Sequence, residues 1–145
     1  MKNVILLCIL VFSSHINSQS RATLDSLTTE YNKCIKIRKD RVNCTKELFW
    51  AYQDYQFDFY RKAAKGLDSI SRQKKAIECG EWVKSKDFFV AQQFLNFKKK
   101  HPSEKITSPN KVAENDAYLA FRNICDYILI RINDLLLIIE SNEKK

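Results

Sequence analysis

The stretch from Ser108 to Ser141, SPNKVAENDAYLAFRNICDYILIRINDLLLIIES, decides the fold. Ser108-Pro109 is a helix-start signal: a hydroxyl to cap free backbone N–H groups, then a proline at the first helical position. No glycine or further proline interrupts the chain from there to Ser141. Ala117, Phe121, Ile124, Ile128, Leu135 and Ile139 recur at three, four or seven residues and so share one helix face. Leu119, Cys125, Leu129, Ile132 and Leu136 fill the adjoining face. A helix with so wide an apolar arc belongs inside a bundle, touched from several sides. It is not a membrane span, because Asp126, Arg131, Asn133 and Asp134 break the apolar run well short of the ~20 residues a bilayer needs.

Working outward, the first eighteen residues read as a secretory signal peptide. Lys2 gives a positive start, Val4 to Phe12 an apolar run, and Ser13 to Ser20 a small, polar exit, with cleavage expected after Ser18 or after Ser20. Removing residues 1–18 takes away Lys2, Cys8 and His15, and leaves 127 residues with 24 Lys+Arg against 17 Asp+Glu, a net charge of +7. That length suits one domain around one core, spanning 19–145. Four cysteines remain, Cys34, Cys44, Cys79 and Cys125. An even count in an oxidising compartment favours two disulfides, in any of three connectivities. Two glycines, both in the mature chain, and long stretches rich in Lys, Glu, Leu and Ile argue against an all-β domain and for an all-α one. The architecture we expect is an up-down four-helix-type bundle with a long buried C-terminal helix.

The remaining helices are legible in outline. Leu24, Leu27, Tyr31, Cys34 and Ile35 make a stripe on a helix from about Ala22 to Lys39, whose end gathers Lys36, Arg38, Lys39 and Arg41. Asn43-Cys44-Thr45 in the following turn is an N-glycosylation sequon, used or unused. A second helix, about Thr45 to Lys65, crowds Phe49, Trp50, Tyr52, Tyr55, Phe57, Phe59 and Tyr60 together. Leu48, Tyr52, Tyr55 and Phe59 form its stripe, with Trp50, Phe57 and Tyr60 facing another side. We read these aromatics as core, with a pocket for an apolar ligand as the alternative. Gly66 stops that helix. A third segment carries Leu67, Ile70, Lys74 and Ile77 to Cys79-Gly80. A fourth, Trp82 to Lys100, puts Phe88, Ala91 and Leu95 on its stripe with Phe89, Phe94 and Phe97 beside it. Gly80 is either a break or a kink within one bent helix.

Chemistry is sparsely represented. His101, next to Pro102, reads as a solvated loop histidine, and the cysteines are too dispersed for zinc-ligand spacing. Glu78 with Glu81, and Glu114 with Asp116, read as surface charges rather than the cleft-flanking pair of a glycosidase. There is no phosphate-binding glycine loop. A non-enzyme without metal or cofactor is expected. Three basic groups, Lys36/Arg38/Lys39/Arg41, Arg72/Lys74/Lys75 and Lys98/Lys99/Lys100 with Lys105, suit an acidic polysaccharide, an anionic lipid or an acidic partner; nucleic acid is not expected outside the cell.

Phe121-Arg122-Asn123-Ile124-Cys125, the aliphatic stretch after it and Asn133 resemble the C-terminal helix of plant invertase and pectin methylesterase inhibitors, as does Ala76-Ile77-Glu78-Cys79. The resemblance covers half to two-thirds of the chain. It implies a secreted four-helix bundle with two disulfides, acting as a non-covalent inhibitor of a cell-wall carbohydrate-active enzyme in the apoplast. In one register Cys44 and Cys79 are the bundle pair, leaving Cys34 to Cys125; in another Cys34 and Cys44 tie an N-terminal hairpin. The longer loop closed by Cys44–Cys79 favours the first, as does the unequal distance of Cys34 and Cys44 from a turn near Arg41. The other readings are a basic helical carrier or effector that binds an anionic glycan or apolar ligand, and a cytokine-like protein with a receptor.

Overall fold

The computed structural model describes residues 21–142, so the signal-peptide reading of 1–18 and its cleavage site lie outside the described residues. Four helices and no strand are present among them: α1 over 21–38, α2 Arg41–Ala64, α3 Ser69–Lys100 and α4 Glu114–Asn142. Cross-helix contacts fix the directions. Arg21 reaches Glu140 at 2.6 Å, while Arg122 lies over the Tyr31 ring, so α1 is antiparallel to α4. Arg41 meets Asn115 and Tyr118, Phe49 meets Phe121, and Asn142 donates to the Ala63 carbonyl, so α2 is parallel to α4. Phe89 stacks on Tyr127 and His101 bonds Asp116, so α3 runs back against both. The bundle is up-down-up-down, with α2 and α4 its most extensive pairing.

α4 is the central element. Ala117, Phe121, Ile124, Ile128, Leu135 and Ile139 are buried, and Cys125, Ile132 and Leu136 close the arc, although Leu119 on the adjoining face is exposed. Each fully buried Ile or Leu here contributes about 1.5–3 kcal/mol. The helix starts at Glu114 rather than at Ser108. The reason is Asn110, whose Oδ1 accepts from the backbone N–H groups of Val112 and Ala113 while Glu104 holds Asn110 itself. That asparagine, past the proline, caps the turn at 111–113 that leads into the helix.

The boundary between the first two helices also differs from that expected. The first turn is at Lys39-Asp40, where Lys39 takes a left-handed φ of 56° and Asp40 caps α2 by accepting from the Asn43 N–H. Helix α2 therefore begins at Arg41, four residues before the expected Thr45, and Arg41 and Asn43 lie in its first turn. That turn sits almost midway between Cys34 and Cys44, and these two form the disulfide, with Cα atoms 5.8 Å apart. The favoured Cys44–Cys79 bond is not formed, nor is Cys34–Cys125. Cys79 lies half-buried on α3, and Cys125 is buried against the Thr45 carbonyl on α2.

The third segment and the fourth are one helix, continuous through Gly80, where an added Cβ would meet nothing. Its inner face carries Trp82, Phe89, Phe94 and Phe97, whereas the expected stripe of Phe88, Ala91 and Leu95 faces outward. Both faces of α3 are apolar, and periodicity alone does not say which one packs. The α2 aromatics Phe49, Tyr52, Phe59 and Tyr60 are core, whereas Trp50 and Phe57 are exposed. Tyr60 thus belongs with the core set and not with Trp50 and Phe57.

Polar groups link the layers. Arg131 on α4 donates to the Tyr60 hydroxyl on α2 and pairs with Glu78 on α3, which also accepts from Lys75. Burial pushes the Glu78 carboxyl up, but the Lys75 and Arg131 hydrogen bonds outweigh it and leave it below the ordinary value. Glu78 is therefore a tie between helices, not the solvated charge expected of it. Deeper in, Lys86 is buried and donates to Gln53, which also accepts from the fully buried Gln56.

Candidate binding groove

The charge clusters land in different environments. Of the first, Arg38 pairs with Glu47 at 2.9 Å, and Arg41 lies 4.6 Å above the Tyr118 ring and donates to Asn115. Only Lys36 and Lys39 are left exposed and uncommitted; the nearby hollow is lined by Glu30 and Glu47 together with Lys33 and Arg38, so its charge is balanced. Arg41 was expected at the C-terminal pole of α1; it serves instead at the α2–α4 contact. This cluster is a poor seat for an anion. In the second, Lys75 is tied to Glu78.

The third cluster is different. The last two turns of α3 and the first three of α4 run side by side and form an open groove of about 460 Å³. Gln93, Asn96, Lys99 and Lys100 line it from α3, and Asp116, Leu119 and Asn123 from α4, with buried Phe97 and Ala120 as its floor. Three amides on two helices offer both donors and acceptors. The Asn123 amide nitrogen donates to Gln93 Oε1 at 3.1 Å, which fixes the two against each other. Lys99 and Asn96 are exposed. Lys98, beside the groove, reaches the Glu104 carbonyl.

One acid lies in the groove, and its charge is already met. Asp116 accepts from His101 Nε2 at 2.8 Å and sits 3.6 Å from Lys100 Nζ. The His101 hydrogen bond holds its carboxyl below the ordinary aspartate value; partial burial works against this, and Lys100 adds to it. His101 was expected to be a solvated loop residue. It is instead mostly buried, packed 5.1 Å from the Phe97 ring at the end of α3, where it orients the acid.

Comparison of the chain with family models, with curated proteins and with solved structures gives no match. Among the described residues no group of three or more His, Cys, Asp or Glu is placed to hold a metal ion. None of the described helices is long and apolar enough to cross a membrane. Asn43 is half-buried; its amide nitrogen donates to Asp40 at 2.6 Å, and Thr45 of the same sequon is buried with its hydroxyl on the Arg41 carbonyl.

Lys99 and Lys100, singled out in the sequence by their charge run, both line this groove. Gln93, Asn96 and Asn123 went unmarked there, because amides from two helices carry no joint signal along a chain. So did the pairing of His101 with Asp116, fifteen residues apart.

Proposed function

We propose that this chain is a secreted, non-catalytic binding protein that inhibits an extracellular carbohydrate-active enzyme, a pectin methylesterase or an invertase, through the groove at the Lys100 end of the bundle. One observation carries the reading: an exposed lysine, Lys99, stands beside amides from two helices, in a groove whose one carboxylate is already engaged. Such a lining is complementary to carboxylates and hydroxyls. Of these two targets an invertase cleaves a glycosidic bond, and enzymes that do so keep paired carboxylates in a cleft; a lysine-rimmed edge is attracted to such a cleft and steered toward it. The resemblance of Phe121–Asn133 to the inhibitor family's last helix supports the same target class, and Asn123 of that segment lines the groove.

The test is an inhibition titration of purified pectin methylesterase and invertase, with wild type and Lys99→Glu. Saturating inhibition near one equivalent, weakened about tenfold or more by the substitution, supports the proposal. If neither enzyme is inhibited, and the protein binds polygalacturonate in a manner abolished at moderate salt, the ligand is an acidic polysaccharide and the inhibitor reading is wrong.

A further inference from the structure

The outward face of α3 holds apolar residues with no partner in the bundle. Ile70, Ile77, Phe88 and Leu95 are 79%, 58%, 67% and 47% exposed. Their spacing is regular. Positions 70, 74, 77, 81, 84, 88, 91 and 95 succeed one another at four and three residues without interruption, the period of a coiled-coil seam. The residues there are Ile70, Lys74, Ile77, Glu81, Lys84, Phe88, Ala91 and Leu95, and Glu81 and Lys84, like the others, are exposed. The seam is about 38 Å long at 1.5 Å per residue.

We infer that a second copy of this chain docks on this face, α3 against α3, antiparallel about a two-fold axis between Glu81 and Lys84. The pattern of charge along the seam argues for this occupant and this direction. In an antiparallel seam each position meets the one whose number complements it about the centre. Ile70 then faces Leu95 of the second copy, Lys74 faces Ala91, Ile77 faces Phe88, and Glu81 faces Lys84. Two-fold symmetry makes every layer occur twice. The four apolar layers flank a central pair of Glu–Lys contacts, and the Lys74 stem lies over the small Ala91. The parallel, in-register pairing would set Glu81 on Glu81 and Lys84 on Lys84, which repels. One register therefore satisfies hydrophobic matching and charge matching together.

This goes beyond the proposed inhibitor function, since it uses the outward face of α3 rather than the groove between α3 and α4. A strip this long and about 10 Å wide covers roughly 400 Å² of each copy, below the size of a standard stable interface. Self-association is accordingly weak, with the dimer growing in between about 10 µM and about 1 mM.

Sedimentation velocity over that range tests it, on the full mature chain. Wild type is expected to shift from monomer to dimer. Glu81→Lys and Lys84→Glu, each alone, place like charges across the axis twice and weaken association about a hundredfold. Mixed in equal amounts, the two variants restore opposite charges at both contacts, and the dimer returns. Both positions are exposed, and unchanged helical ellipticity confirms that each variant is folded. A wild type that stays monomeric at 1 mM, as an order-of-magnitude ceiling, overturns the inference. So does a dimer that ignores both reversals, or one that fails to return on mixing.

Discussion

Replacing Gln56 with methionine should stabilise the protein, although it removes a hydrogen bond from the core. Gln56 is fully buried on α2, and its Oε1 has no hydrogen-bond partner. Its Nε2 donates to Gln53 Oε1 at 2.9 Å, and the same oxygen accepts from Lys86. The substitution gives up one neutral hydrogen bond, worth about 1 kcal/mol. Gln53 Oε1 is not orphaned by the loss, because Lys86 stays on it. Against this, the change removes a buried unsatisfied acceptor, whose desolvation costs about 1–3 kcal/mol, and buries an unbranched apolar side chain of nearly the same length. The net effect is a gain of about 1 kcal/mol, seen as a rise of about 3–6 °C in Tm for a domain of this size. Urea unfolding followed by ellipticity measures it, with the slope m unchanged. A loss of about 1 kcal/mol or more would refute the reasoning, and would mean that Oε1 is satisfied by a bound water which methionine expels.

The same architecture sets other expectations. Cys34→Ala with Cys44→Ala opens a ten-residue crosslink and should cost about 2–3 kcal/mol by loop entropy; an unchanged urea midpoint would place the α1–α2 turn among structures rigid without the bond. Gly80→Ala, in mid-helix with open space around the added Cβ, should stabilise by about 0.5–1 kcal/mol, a gain that a fall in Tm would contradict. Asp116 and Glu78 both have lowered carboxyl pKa values in the folded state. Their stabilising contributions are complete above the ordinary carboxylate range and are lost as pH falls through the lowered folded values, so the urea midpoint should drop below about pH 4, less steeply in Asp116→Asn. A flat midpoint down to pH 3, an order-of-magnitude bound on that range, speaks against both pairs. Thiol labelling at neutral pH should show two phases. Half-buried Cys79 reacts in the native state, whereas burial pushes the Cys125 thiol up to about 12 and leaves it protonated until the chain unfolds.

Much of the fold can be read from residue spacing. The buried face of α4, from Ala117 to Ile139, is dictated by apolar residues at helical intervals, because only one direction on that helix lets them all pack. α3 is where such reading fails. Phe88, Ala91 and Leu95 have as good a period as Phe89, Phe94 and Phe97, and only the position of α4 selects the second set. The turn at Lys39-Asp40 was hidden because neither glycine nor proline marks it; a lysine adopts the left-handed conformation instead. Missing that turn displaced the start of α2, and with it the disulfide. The groove was half legible. Its lysines form a run in the chain, while its amides converge only when α3 and α4 lie side by side.

The most direct test of the binding account is affinity capture from extracellular fluid, with residues 19–145 of the wild-type chain and of Lys99→Glu as parallel baits and elution by rising salt. One carbohydrate-active enzyme retained on wild type in near-stoichiometric amount, held into high salt and reduced on Lys99→Glu, is the predicted result. Identical captures on both baits, or polyanions alone that leave at moderate salt, would contradict it.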